Sequence, residues 1–95
     1  MVSLVRLGHF SADAPAVDIL VDEEVVFENL RFEEITEFLE MNDGSYMFEI
    51  RPHGESTSII QEPVDILDEI SHTIIISGLV GEQDIGLVVI EDSAV

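Results

Sequence analysis

His9, Ser11 and Asp13 bring the residue types of a hydrolytic relay into one short stretch of chain. Side chains two apart on an extended backbone point the same way, whereas a relay needs hydroxyl, imidazole and carboxylate bonded in series. No nucleophile elbow and no glycine-rich phosphate loop accompanies them. Ser and Asp in a loop bond nearby backbone groups, which accounts for both types without chemistry. No catalytic residue is assigned. An enzyme would need carboxylates such as Asp13 and Asp18 to converge in a cleft with perturbed acidities.

Asp18, Asp22, Glu23 and Glu24, and separately Asn42 and Asp43, carry the oxygen ligands that calcium takes. The spaced Asp, Gly and Glu of an EF-hand are missing, so a solvated acidic surface is expected, with a calcium- or small-ligand-binding domain as the alternative. His9, His53 and His72 lie far apart in sequence, and surface or loop positions are expected for each. No metal ligand and no cofactor is assigned.

These residues sit in a strongly acidic chain. It has 95 residues with 21 Asp and Glu against 3 Arg, no Lys, and a formal charge of −18. A field of that sign repels phosphate backbones and anionic membrane surfaces, which leaves cations or an unidentified protein partner, preferably basic. The acidic excess also suits a high-salt environment. No cysteine is present, so no disulfide framework is available, and no apolar run approaches the ~18 residues of a membrane span. Met1 to Phe10 lacks the apolar run and cleavage site of a secretory leader. The length suits one domain over residues 1–95, and the 46% hydrophobic content is enough to fold it.

The elements that must position these residues read as strands. Val2 to His9 is the first, followed by a loop, Ser11 to Ala16, containing Pro15. Val17, Ile19 and Val21 alternate with Asp18 and Asp22. Asp22 to Glu24 reads as a hairpin turn leading into Val25 to Leu30. Phe32, Ile35 and Leu39 fall at helical spacing, but a turn followed by a short strand, Thr36 to Met41, is favoured there. Asn42 to Gly44 is a turn, after which Tyr46, Phe48 and Ile50 alternate with Met47, Glu49 and Arg51. Pro63, within Thr57 to Ile66, indicates an edge strand or a bulge. Thr73 to Val80 and Ile85 to Ile90 read as central strands covered on both sides. The aromatics are expected in the core, and the arginines in cross-strand ion pairs. The whole reads as an all-β antiparallel sandwich of about seven to eight short strands.

Val5 to Asp22 resembles the signature of the DUF4397 family at His9, Ser11, Asp13, Ala14, Pro15, Val17 and Asp18. Gly44, Tyr46, Ile50, Arg51, Pro52 and Gly54 are similar to its second motif, and Thr73 to Val80 with Leu87 to Asp92 to its closing strand pair. The resemblance implies an immunoglobulin-like or related sandwich, found in exported and envelope-associated proteins and without established enzymatic activity. Ala12 stands where the family usually has proline, and Glu23 and Glu24 where its first hairpin has glycine. The function expected is a non-catalytic structural or protein-interaction module that binds through strand edges or loops.

Overall fold

Val5 and Leu7 are fully buried while Leu4 and Arg6, which alternate with them, are half-buried, so the first strand shows one face to a core and the other to a wetter surface. A computed structural model of the chain describes residues 2–92. Its eight strands are β1 Val2–His9, β2 Val17–Val21, β3 Glu24–Leu30, β4 Leu39–Asn42, β5 Gly44–Pro52, β6 Ile60–Ile66, β7 Ser71–Ser77 and β8 Gly86–Asp92. They form two four-stranded sheets, one ordered β4-β1-β7-β8 (sheet A) and one ordered β3-β2-β5-β6 (sheet B). The fold is an all-β sandwich. Among the described residues there is no helix, and the stretch from Phe32 to Phe38 is a turn followed by an irregular segment tied to β1 through Ile35 and Thr36.

Hydrophobic burial between the two sheets holds the fold together. Val5, Leu7, Ile74 and Ile76 from sheet A meet Val17, Ile19, Phe48 and Ile50 from sheet B, all of them fully buried. Each such side chain contributes roughly 1.5–3 kcal/mol.

The pairing is antiparallel except between β1 and β7, which run parallel with Leu7 beside Ile74. That departs from a purely antiparallel sandwich. A parallel neighbour needs a long crossover, and here all of β2 to β6 lies between the two strands.

The Asp22 to Glu24 turn is two residues long, because Glu24 already pairs with Val21. Asp22 and Glu23 both have positive φ, 48° and 72°, as the favoured two-residue hairpin requires and as glycine usually supplies. Asp22 is held there by β5, donating its own amide to the Met47 carbonyl and accepting the Met47 amide on Oδ1. Pro63 lies on β6, an outer strand of sheet B, as a residue without an amide proton should.

β8 differs from expectation. It is an outer strand of sheet A, with Val88 and Ile90 each 50% exposed. β7 alone of the two late strands is central. A continuous apolar run reads the same whether it is covered or left bare at an edge, so the pattern of residues 85–90 could not separate the two.

Candidate functional site

The loop after β1 is a knot of hydrogen bonds. His9 is fully buried, donates from Nε2 to the Pro15 carbonyl at 2.8 Å and accepts the Ser11 amide on Nδ1 at 3.3 Å. Both ring nitrogens are therefore engaged by backbone, and none is left to take a proton from the Ser11 hydroxyl. That hydroxyl points instead to Asp13 Oδ1 at 3.5 Å. Asp13 reaches across to the β7–β8 loop, accepting the Val80 and Gly81 amides at 2.7 and 2.9 Å. In that loop Gly78 has φ of 91°, and a Cβ on it would strike the Asp84 carbonyl.

The second family-like motif is tied to the first. Asp18 accepts the His53 imidazole on Oδ1 at 2.8 Å, the Asn29 amide at 2.9 Å and the Gly54 amide on Oδ2 at 3.5 Å. Val17 pairs with Pro52, and the His53 amide bonds the Ala16 carbonyl. Arg51 donates to Glu49 on its own strand at 2.9 Å, with Ser58 donating to the same carboxylate oxygen. The arginine pairing is thus along one strand and not across two. It lets Glu49 sit nearly buried on the outer face of sheet B beneath the β5–β6 loop. Tyr46 closes its corner by donating to the Asn42 carbonyl at 2.8 Å, beside Gly44 at the crossing from β4 to β5.

Of the residues named as oxygen ligands, Asp22, Glu24 and Asn42 line one open cavity with Glu40, but they do not group as a metal site among the described residues. Asp18 and Asp22 lie at opposite ends of β2 and are engaged by the bonds described, and Glu23 and Glu24 are exposed on the turn. Among the described residues no three of His, Asp and Glu are grouped as a metal would require. Only His53 of the histidines is at the surface. His9 and His72 are fully buried, and His72 accepts the Leu67 amide on Nε2 and faces the Leu4 carbonyl with Nδ1. Their positions carry a signal, since His9 shares parity with Val5 and Leu7, and His72 with Ile74 and Ile76.

Two carboxyls are shifted by these contacts. The Gly81 and Val80 amides hold Asp13 below the ordinary carboxyl range. At Asp18 desolvation acts to raise the value, but the bonds from His53, Asn29 and Gly54 outweigh it and the net shift is downward. A folded value below the unfolded one adds stability that is complete above about pH 4 and disappears as pH falls through the folded value. We therefore expect Asp18→Asn to lower the urea midpoint at neutral pH, with the gap to the parent closing below about pH 4. A gap constant down to pH ~2 would contradict this bonding.

The feature least expected from sequence is the outer face of sheet A. One row runs from Phe38, stacked 4.7 Å from the Arg6 guanidinium, through Arg6 and Thr73 to Ile90. The next runs from Ile35 through Gly8 and Ile75 to Val88, and Phe10 lies over Gly8, where a Cβ would meet its ring at 2.6 Å. Ile35, Phe38 and Phe10 are 50%, 44% and 39% exposed, so these two aromatics are not core, unlike Phe48. The outer face of sheet B mixes apolar Leu20, Val25, Met47 and Pro63 with polar Asp18, Arg51, Glu49 and Gln61, and has no aromatic ring among these.

The family model described as "Domain of unknown function (DUF4397)" matches residues 3–95. The chain belongs to the DUF4397 family. No curated protein and no solved structure matches it. Of the positions that carry the DUF4397 resemblance, Asp13 bonds the β1–β2 loop to the β7–β8 loop, and Asp18 with Gly54 bonds β2 to the β5–β6 loop.

Proposed function

We propose that this DUF4397 domain is a non-catalytic protein-interaction module that binds through the outer face of sheet A. The row Ile35–Gly8–Ile75–Val88, with Phe10 lying over it and Phe38 and Ile90 at the ends of the neighbouring row, carries the reading. Exposed apolar side chains scattered singly are ordinary, but contiguous ones on one sheet face mark an interaction surface. Arg6 lies within this face of a chain whose formal charge is −18, and Glu40 and Asp92 lie at the two ends of the adjoining row.

The motif residues fit a scaffold role. His9, Asp13, Asp18 and Arg51 each hold backbone or a neighbouring side chain in place, and the relay types they include are spent on those bonds. No helix among the described residues is long and apolar enough to cross a membrane.

The test compares proteins captured from the source cells by the parent chain, by Val88→Glu with Ile90→Glu, and by Gln61→Glu on the opposite sheet. A partner kept by the first and third and lost by the second is expected. Equal capture by all three, or no partner and no self-association with any, would reject the reading.

A further inference from the structure

Each sheet of a sandwich has two edge strands, and an exposed edge invites another strand unless something blocks it. Three of the four here are blocked. β4 is only four residues long. β3 carries two register shifts against β2, positive φ at Asn29, and the charges Glu24 and Glu28. β6 contains Pro63 between Glu62 and Asp65. β8 carries charge only at its end, in Glu91 and Asp92, and otherwise has none of these devices: it is seven residues long, pairs with β7 without a shift, and carries Leu87, Val88, Val89 and Ile90 in succession.

The hydrogen-bonding direction of that edge can be read from two contacts. The Leu87 amide donates to Glu62 Oε2 at 3.1 Å, so it points away from β7. Ile76, opposite Leu87, turns its carbonyl toward β1, where it accepts the Phe10 amide. Groups alternate along an antiparallel strand, so Val89 and Glu91 also aim their amides and carbonyls outward, while Val88 and Ile90 bond β7. Glu62 blocks the first outward amide, and among the described residues no side chain is bonded to the next two.

We propose that β8 is completed by an added strand, an extended partner segment with branched apolar residues at its centre and lysine or arginine at its ends. This rests on the reading of sheet A as the binding side and names how and by what it is bound. Main-chain bonds to Val89 and Glu91 supply the pairing, and Val88 and Ile90 on one face and Val89 on the other meet apolar side chains. The ends follow from charge. Glu62 and Asp84 lie near the start of β8 and Glu91 and Asp92 at its end, so a basic segment finds opposite charge at both ends. A second copy of the chain would bring another −18 to the same place.

The probe is a short synthetic peptide of alternating valine and threonine with lysine at both ends, added to the isotope-labelled full chain. We expect the amide resonances of Val89 and Glu91 to shift and to gain hydrogen-exchange protection. Affinity should fall at least several-fold between ~0.05 and ~0.5 M NaCl. The same peptide with glutamate ends, or N-methylated on alternate amides, should bind at least tenfold more weakly. The N-methylated peptide leaves the protein untouched, so no folding defect can imitate its effect, and Val89→Pro removes the matching amide from the protein side.

Equal binding of the N-methylated peptide would overturn strand addition while leaving the apolar face as a binding surface. Failure of all the peptides at β8 would overturn the proposal, whatever the capture experiment returns. Protection of Val89 and Glu91 that grows with protein concentration, without peptide, would make the occupant a second copy and overturn the basic partner.

Discussion

Phe48→Ala should cost about 3–5 kcal/mol of folding stability and lower the melting temperature by on the order of 20 °C. Phe48 is fully buried in the middle of β5, paired with Val21 on one side and Glu62 on the other. It is the largest fully buried side chain, so its removal deletes more contact than any other single truncation of that set. A domain of this size is stabilised by only about 5–15 kcal/mol in total, so the variant should be near the limit of folding at 37 °C. Urea unfolding with an unchanged slope and a loss under ~1 kcal/mol would show that Phe48 does not sit between two packed sheets.

Raising NaCl from ~0.01 to ~1 M should raise the melting temperature by roughly 5–15 °C, equivalent to about 1–3 kcal/mol. The chain measures 38 × 22 × 20 Å, and the screening length falls from ~30 Å to ~3 Å over that range. At the low end every carboxylate senses nearly every other, and at the high end only its immediate neighbours. Lysine is absent, and Arg51 is committed to the nearly buried Glu49, so local pairing does little to relieve the surplus. Differential scanning calorimetry in NaCl tests this. A melting temperature that stays flat or falls would mean that the carboxylates lie in positions where self-repulsion does not oppose folding.

The sequence makes the fold legible wherever two residues in alternation face different solvents. β1 coincides with the run from Val2 to His9, and Phe48 and Ile50 enter the core as their spacing from Tyr46 requires. Pro63 announces an edge because the missing amide proton is a local fact. The parallel β1–β7 pair is not local, since it depends on how far the chain travels between the two strands. β8 looked central because leucine, valine and isoleucine have the same strand preference buried or bare.

The site was legible in its parts and not in its connections. Ser11 and Asp13 have the types of loop-bonding residues, but that Asp13 would hold the amides of Val80 and Gly81 is set by tertiary folding alone. His9 and His72 are polar and suggest the surface, yet both are buried, as their shared parity with Leu7 and Ile74 indicates. The outer face of sheet A draws Ile35, Phe38, Val88 and Ile90 from three separate segments, and nothing in any one of them announces the others.

If the edge of β8 is open to an added strand, amide hydrogen exchange on the dilute, free chain will show it. Val88 and Ile90, bonded to β7, should exchange slowly, and Val89 and Glu91, facing outward, faster by about tenfold or more. Equal slow exchange at all four amides would mean that the edge is already satisfied, and equal fast exchange that β8 does not pair with β7; either result would contradict the account.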